Sequence, residues 1–287
     1  MKKWTTILTA GTLALVLSAC GQTAEPKEDP MTGEREEVVV KSELTAGEVM
    51  EKANAAAETQ QSMHSDMEIM QTLEMGDEKQ DINSTIDMDM ILEPLAMRQT
   101  MNMQIGGEEM AIEQYMTEEG FFMKDPQSGG WIKLPNELYE EVTSQMAGVT
   151  ESPVDFTMYK EYAEDFTFEE TDDEYVLTLI GSGEKFSELM QEMLEKHMPA
   201  GADEAKLKET DIKVEKVDIQ FTIDKKTFFT KAFDMDMVTT MDEQGQQVKV
   251  TQNMKGTMTK INEIDEIKVP KEILDSAQEM DQVMNQQ

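Results

Sequence analysis

The chain has 287 residues, with 25 basic and 60 acidic side chains and a formal net charge of -35 at pH 7. That charge excludes nucleic acid as a partner, because binding a phosphate backbone needs a basic face to displace counterions. Aromatic residues make up only 6% of the chain while 27 residues are methionine, so much of the apolar volume is flexible and adaptable.

The N-terminus reads MKKWTTILTAGTLALVLSACGQ. Lys2 and Lys3 form a positive start, and Ile7 to Leu17 an apolar run of secretory-signal length that is too short for a convincing membrane span. Leu17-Ser18-Ala19-Cys20 then closely matches a bacterial lipobox, and Cys20 is the one cysteine of the chain. The sequence thus predicts a signal peptide over 1–19 and a diacylglyceryl group on Cys20, which would anchor the protein to the outer face of the cell membrane. A lone cysteine also excludes a disulfide framework. Residues 20–42, polar and proline-bearing, read as an acidic tether, and 43–287 as a single domain.

A capping box at Thr45 and Glu48 opens an amphipathic helix expected from Thr45 to Gln60. The period then changes to two. Ile86, Met88, Met90 and Leu92 share one strand face, followed by Met97, Met101 and Met103, then Met110 and Ile112. Gly76-Asp77 and Gly106-Gly107 punctuate these runs as hairpin turns, so the first half reads as an antiparallel meander with one apolar face. Trp131, Phe121, Phe122 and Tyr115 read as core aromatics around two shorter strands, with some of them candidates for a cavity rim.

From Pro135 the texture is helical, with Ser152 and Pro153 as a helix start, then a hairpin across Asp172-Asp173 and an amphipathic helix ended by Pro199-Ala200-Gly201. Three long strands follow, with Met235 and Met237 on one face and Asp242 to Gly245 as a hairpin signal. A closing helix is expected from Pro270 through VPKEILDSAQEMDQVM.

The thioether pairs Met88/Met90, Met101/Met103 and Met235/Met237 have the softness to bind Cu(I). The residues between them are Asp89, Asn102 and Asp236, which turns the polar groups outward and the methionines inward, so lining of a core or cavity is the preferred reading. His64 and His197 are the only histidines, too few for a histidine-rich metal site, and both read as surface residues. No catalytic motif appears, so the chain reads as a non-enzyme with no cofactor and no resident metal.

The LTAGEVMEKANAA start, the GFFMKDPQSGGWIKL segment and the stretch Phe221-Thr222-Ile223-Asp224-Lys225-Lys226-Thr227-Phe228 resemble the LolA-like lipoprotein superfamily. Within it they look like an uncharacterised Gram-positive (Bacillota) lipoprotein family. The resemblance implies an α+β fold: a strongly curved antiparallel sheet, a half-open β-barrel, with helices covering its concave face. Relatives hold acyl chains there and bring no catalytic residues. On this reading the protein is an extracytoplasmic lipoprotein that binds a lipid or acyl chain in an apolar groove. Ile86, Met88, Met90, Met101, Met103, Met110, Ile112, Met235 and Met237 are expected to line the groove. A structural or signalling lipoprotein with a filled core, and a Cu(I)-sequestering protein, are the alternatives.

Overall fold

The computed structural model describes residues 23–39, 41–126, 128–147, 154–196, 212–243 and 246–280. In chain order the first elements are β1 (Glu25–Pro26), α1 (Ala46–Ala57), β2 (Ser62–Met75), β3 (Glu78–Ile91), β4 (Ala96–Ile105), β5 (Glu108–Thr117), β6 (Gly120–Lys124) and β7 (Trp131–Lys133). Next come α2 (Asn136–Ala147), a 3-10 helix (Phe156–Asp165), β8 (Thr167–Glu170), β9 (Glu174–Gly181) and α3 (Glu184–Lys196). β10 (Ile212–Asp224), β11 (Thr230–Glu243), β12 (Gln246–Thr259), α4 (Lys271–Ser276) and β13 (Gln278–Glu279) complete the order.

Local chemistry sets most of these boundaries. At α1 the Thr45 hydroxyl accepts from the Glu48 N–H at 3.3 Å and the Glu48 carboxylate accepts from the Thr45 N–H at 2.8 Å, the reciprocal pair that satisfies two otherwise orphaned donors. The helix stops at Ala57, three residues short of the expected end, because Thr59 and Gln60 turn back onto the Ala56 and Ala57 carbonyls. β4 and β5 meet at Gly106 and Gly107, at φ 59° and 91°. Both turn residues therefore need left-handed backbone, which glycine supplies without a Cβ clash and which matches the twist of the joined strands. The Phe221–Phe228 stretch forms the β10–β11 connection, where Asp224 Oδ1 accepts from the N–H groups of Lys226 and Thr227 at 2.9 and 2.8 Å.

The strands form one 13-stranded sheet in the order β1-β8-β9-β10-β11-β12-β2-β3-β4-β5-β6-β7-β13. Its two edges, β1 and β13, do not meet, so the sheet is large, curved and open rather than a closed barrel. All of the long pairs are antiparallel, as expected. The two-residue edge strands β1 and β13 instead pair in parallel with β8 and β7. The closing helix is shorter than expected: α4 has six residues, after which the chain extends to pair with β7. Ser152, Pro199 to Gly201, His197, Cys20 and the Gln244-Gly245 hairpin tip lie outside the described residues. Glu243 nonetheless pairs with Gln246 in the expected register.

Residues 20–42 were expected to act as a spacer, yet from Thr23 the segment lies along the fold. Ala24 is buried, Thr23 bridges to Thr45, and the Lys27 N–H donates to the Glu170 carbonyl at 2.8 Å. Glu170, fully buried, pairs with Lys225 at 2.8 Å and accepts from the Ser42 N–H at 3.0 Å. The sequence offers no hydrophobic signal for this contact; a buried ion pair and backbone pairing make it.

Strand register puts every inward residue on one face, but packing there is uneven. At the β8–β11 end, α1, the 3-10 helix and α3 bury a core that contains Val49, Phe156, Tyr159, Leu177, Leu179 and Ile219. Phe221 sits under two rings, with centroids 5.0 Å from Phe156 and 5.4 Å from Tyr159, both edge-to-face. At the other end, Met63, Met90, Met97, Met116 and Phe121 form a smaller core capped by Tyr139 and Val142 of α2. The central aromatics split between the two faces. Phe121 joins this second core, while Phe122 packs on the reverse side with Val269 and Ile273, near Tyr115 and Trp131.

Candidate functional site

Alternation places all nine expected groove residues on the core-facing side of the sheet. They do not form a single cavity. Met90 is 6% exposed inside the second core and Met88 packs against it; Met237 is 9% exposed and Met235 packs against the first core. These four are packing residues. The other five lie between the cores, in two cross-strand rows. One row runs Met67–Ile86–Met101–Ile112, and the next runs Met254–Ile69–Ser84–Met103–Met110. Ile86, Met101, Met103 and Ile112 are half-buried and Met110 is 37% exposed, and none of the five belongs to a buried cluster.

The strip has polar and aromatic borders. Toward the second core, Gln114 Nε2 donates to Gln99 Oε1 at 2.7 Å, so this amide pair satisfies itself across β4 and β5. Toward the first core, Phe233 lies over Gly256, where an added Cβ would fall 2.3 Å from the ring. The glycine is there because the phenyl group occupies the space of a side chain. The result is an apolar floor of thioethers and isoleucines between an amide fence and an aromatic wall.

Two open depressions lie over the same strands on the reverse, polar face. One, of about 590 Å³, takes in Glu68, Met70, Asn83, Asn102 and Gln104, with Met103 and Met110 at its border. The other, of about 400 Å³, is lined by Asp66, Glu68, Asp87 and Lys255 among others. Next to it, His64 is far from a simple surface residue. Its side chain is 13% exposed, with Nδ1 2.8 Å from Asp89 Oδ1 and Nε2 3.1 Å from Asp66 Oδ2. Arg98 lies 3.1 Å from both Asp87 and Asp89. Burial works against charge on Asp89, but hydrogen bonds from His64 and Arg98 outweigh it and hold the carboxyl below its ordinary value. Reading His64 as a surface residue missed this network. The available signal was the pairing of His64-x-Asp66 on β2 with Asp87-x-Asp89 on β3, which only the strand register reveals.

Residues 45–278 match the model of a family of unknown function, DUF6612. The chain belongs to that family. No curated protein matches it. Among solved structures, LprF from Mycobacterium bovis is 10% identical, with 78% of this chain and 95% of that one covered, at a TM-score of 0.37. A β-barrel-like DUF1849 domain protein from Brucella abortus is 8% identical over 70% and 99% of the two chains, at a TM-score of 0.20. A DUF1329 family protein from Desulfovibrio piger is 8% identical over 75% and 90%, also at 0.20. Likenesses this distant carry no argument about fold or function. Among the described residues no helix is long and apolar enough to cross a membrane.

Proposed function

We propose that the protein is a membrane-anchored extracytoplasmic lipoprotein whose open sheet holds an acyl chain or another hydrophobic ligand. One observation carries this reading: the strip of Met67, Ile69, Ile86, Met101, Met103 and Ile112 is left half-buried between two packed cores. An acyl chain laid across it would lose contact with water at roughly 0.8 kcal/mol per buried methylene. Unbranched thioether side chains can follow such a chain at little strain. Cys20, in its lipobox setting, supplies the anchor in this reading, and the LolA-like resemblance points the same way.

Packing of Met88, Met90, Met235 and Met237 into the two cores favours a second reading, a structural or signalling lipoprotein with a filled interior. The same burial speaks against Cu(I) capture at Met88/Met90 and Met235/Met237, because thioether ligands must be open to the ion.

Lipid extraction and mass spectrometry of the protein purified from membranes, alongside a secreted Cys20→Ser form retaining Thr23 onward, test the proposal. A co-purifying lipid in the secreted form, reduced when Met101 and Ile112 are changed to Glu, is the expected result. Lipid recovered only from the Cys20-bearing form would identify it as the anchor and leave the filled-core reading in place.

A further inference from the structure

The His64 network has the composition and layout of a cation site. A ring nitrogen of His64 and one carboxylate oxygen each from Asp66 and Asp87 all lie within 4.8 Å of one another. Imidazole with two carboxylates suits first-row divalent ions, whose bonds to nitrogen and oxygen are about 2.0–2.2 Å, so modest rotation of the exposed Asp66 would close the set. A histidine ligand is normally oriented by a carboxylate on its other ring nitrogen, and Asp89 stands 2.8 Å from Nδ1, leaving Nε2 turned toward Asp66.

Two further features support the assignment. The approximately 400 Å³ depression is lined by Asp66 and Asp87, which leaves room on their open side for water ligands. Charge is also unbalanced there: the three carboxylates of Asp66, Asp87 and Asp89 gather around the imidazole with one guanidinium, Arg98. Lys255, at the rim, is engaged by Asp234 at 2.8 Å. Arg98 holds Asp87 through Oδ1 alone at 3.1 Å, so the second oxygen of that carboxylate remains for a cation.

We propose that His64, Asp66 and Asp87 bind one divalent transition-metal ion, with Asp89 orienting the histidine and water completing the coordination. The site pins β2 to β3 on the polar face and is separate from the apolar strip.

Calorimetric titration of the full chain carrying Cys20→Ser with Zn²⁺ alone, and with Mn²⁺ alone, tests the site. One saturable equivalent is expected. His64→Ala should abolish it, and Asp89→Asn should weaken it by about 10–100-fold, as loss of an orienting carboxylate does. Asp81→Asn, an acid on the same face of β3 that accepts from Thr72 outside the set, should change nothing. Nitrogen-15 NMR of the imidazoles provides a second measurement that does not depend on stability, since the chain has two histidines. Zn²⁺ should shift His64 Nε2, and the shift should survive His197→Ala. Saturable binding unchanged in His64→Ala, a shift confined to His197, or no saturable equivalent at all would overturn the proposal.

Discussion

The two ends of this sheet solve the same packing problem with different materials. At the β8–β11 end, aromatic rings from the 3-10 helix and branched side chains from the strands interlock beneath α1, and Leu177, Leu179 and Ile223 are wholly buried. Across β2–β5, methionines take the inward positions and the layer above them is thin. Rings with two torsions fix a geometry; thioethers with three rotatable bonds fill whatever space is present. The first region is therefore built to hold a shape, and the second to yield to one.

Substitutions test that contrast directly. The largest effect is expected at Phe221: its truncation to Ala should cost about 3–5 kcal/mol of unfolding free energy. Met101→Ala, in the half-buried strip, should cost about 1–2 kcal/mol. Urea titration of both variants checks the difference, and equal losses would show that the strip is as rigidly packed as the aromatic core. Glu170→Ala should rank with Phe221, at about 3–5 kcal/mol, because it removes the carboxylate paired with the half-buried Lys225 ammonium and frees the Ser42 N–H. Limited proteolysis should then cleave between Thr23 and Glu43 faster than in the parent protein. Gly256→Ala places a methyl group against Phe233 at the border between the regions, and should lower stability by about 1–3 kcal/mol.

The smallest change concerns the polar face. Asp89 has a carboxyl held below its ordinary value of 3.8, so its contribution to stability is present above that value and is lost as pH falls through the depressed one. Asp89→Asn should therefore destabilise the metal-free protein by up to about 1 kcal/mol at pH 7. In thermal melts the gap from the parent should close as the pH is taken below 3.8. At the opposite extreme, burial pushes the Tyr159 hydroxyl up to about 12, with the nearby Asp155 adding to the shift. Stability that Tyr159 contributes below pH 10 should accordingly drain away as the pH rises toward 12, chiefly through the aromatic end.

Much of this architecture was legible because its signals are local. The Thr45–Glu48 box, the Gly106-Gly107 turn and the alternation of Ile86, Met88 and Met90 each announce themselves within a few residues. Which methionines would be packed and which left half-open was not legible. That depends on where α2 and the 3-10 helix settle, and Met90 and Met103 look alike in the sequence. His64 was misjudged for a related reason. Its partner Asp89 lies 25 positions away and Arg98, which pairs with Asp89 in turn, 34 away, and only the pairing of β2, β3 and β4 brings the three together. The docking of residues 23–28 was hidden because backbone pairing with β8 and Thr45, rather than an apolar run, holds that region in place.

If Cys20 carries the proposed anchor, that docking limits how far the domain would stand from a bilayer. On the proposed acylation of Cys20, only Gly21 and Gln22 would separate the lipid from Thr23, a reach of roughly 10 Å at full extension. A polymer of 22 residues would let the body wander and turn freely. So short a leash would instead hold the β1 edge close to the headgroups and restrict which way the sheet could face.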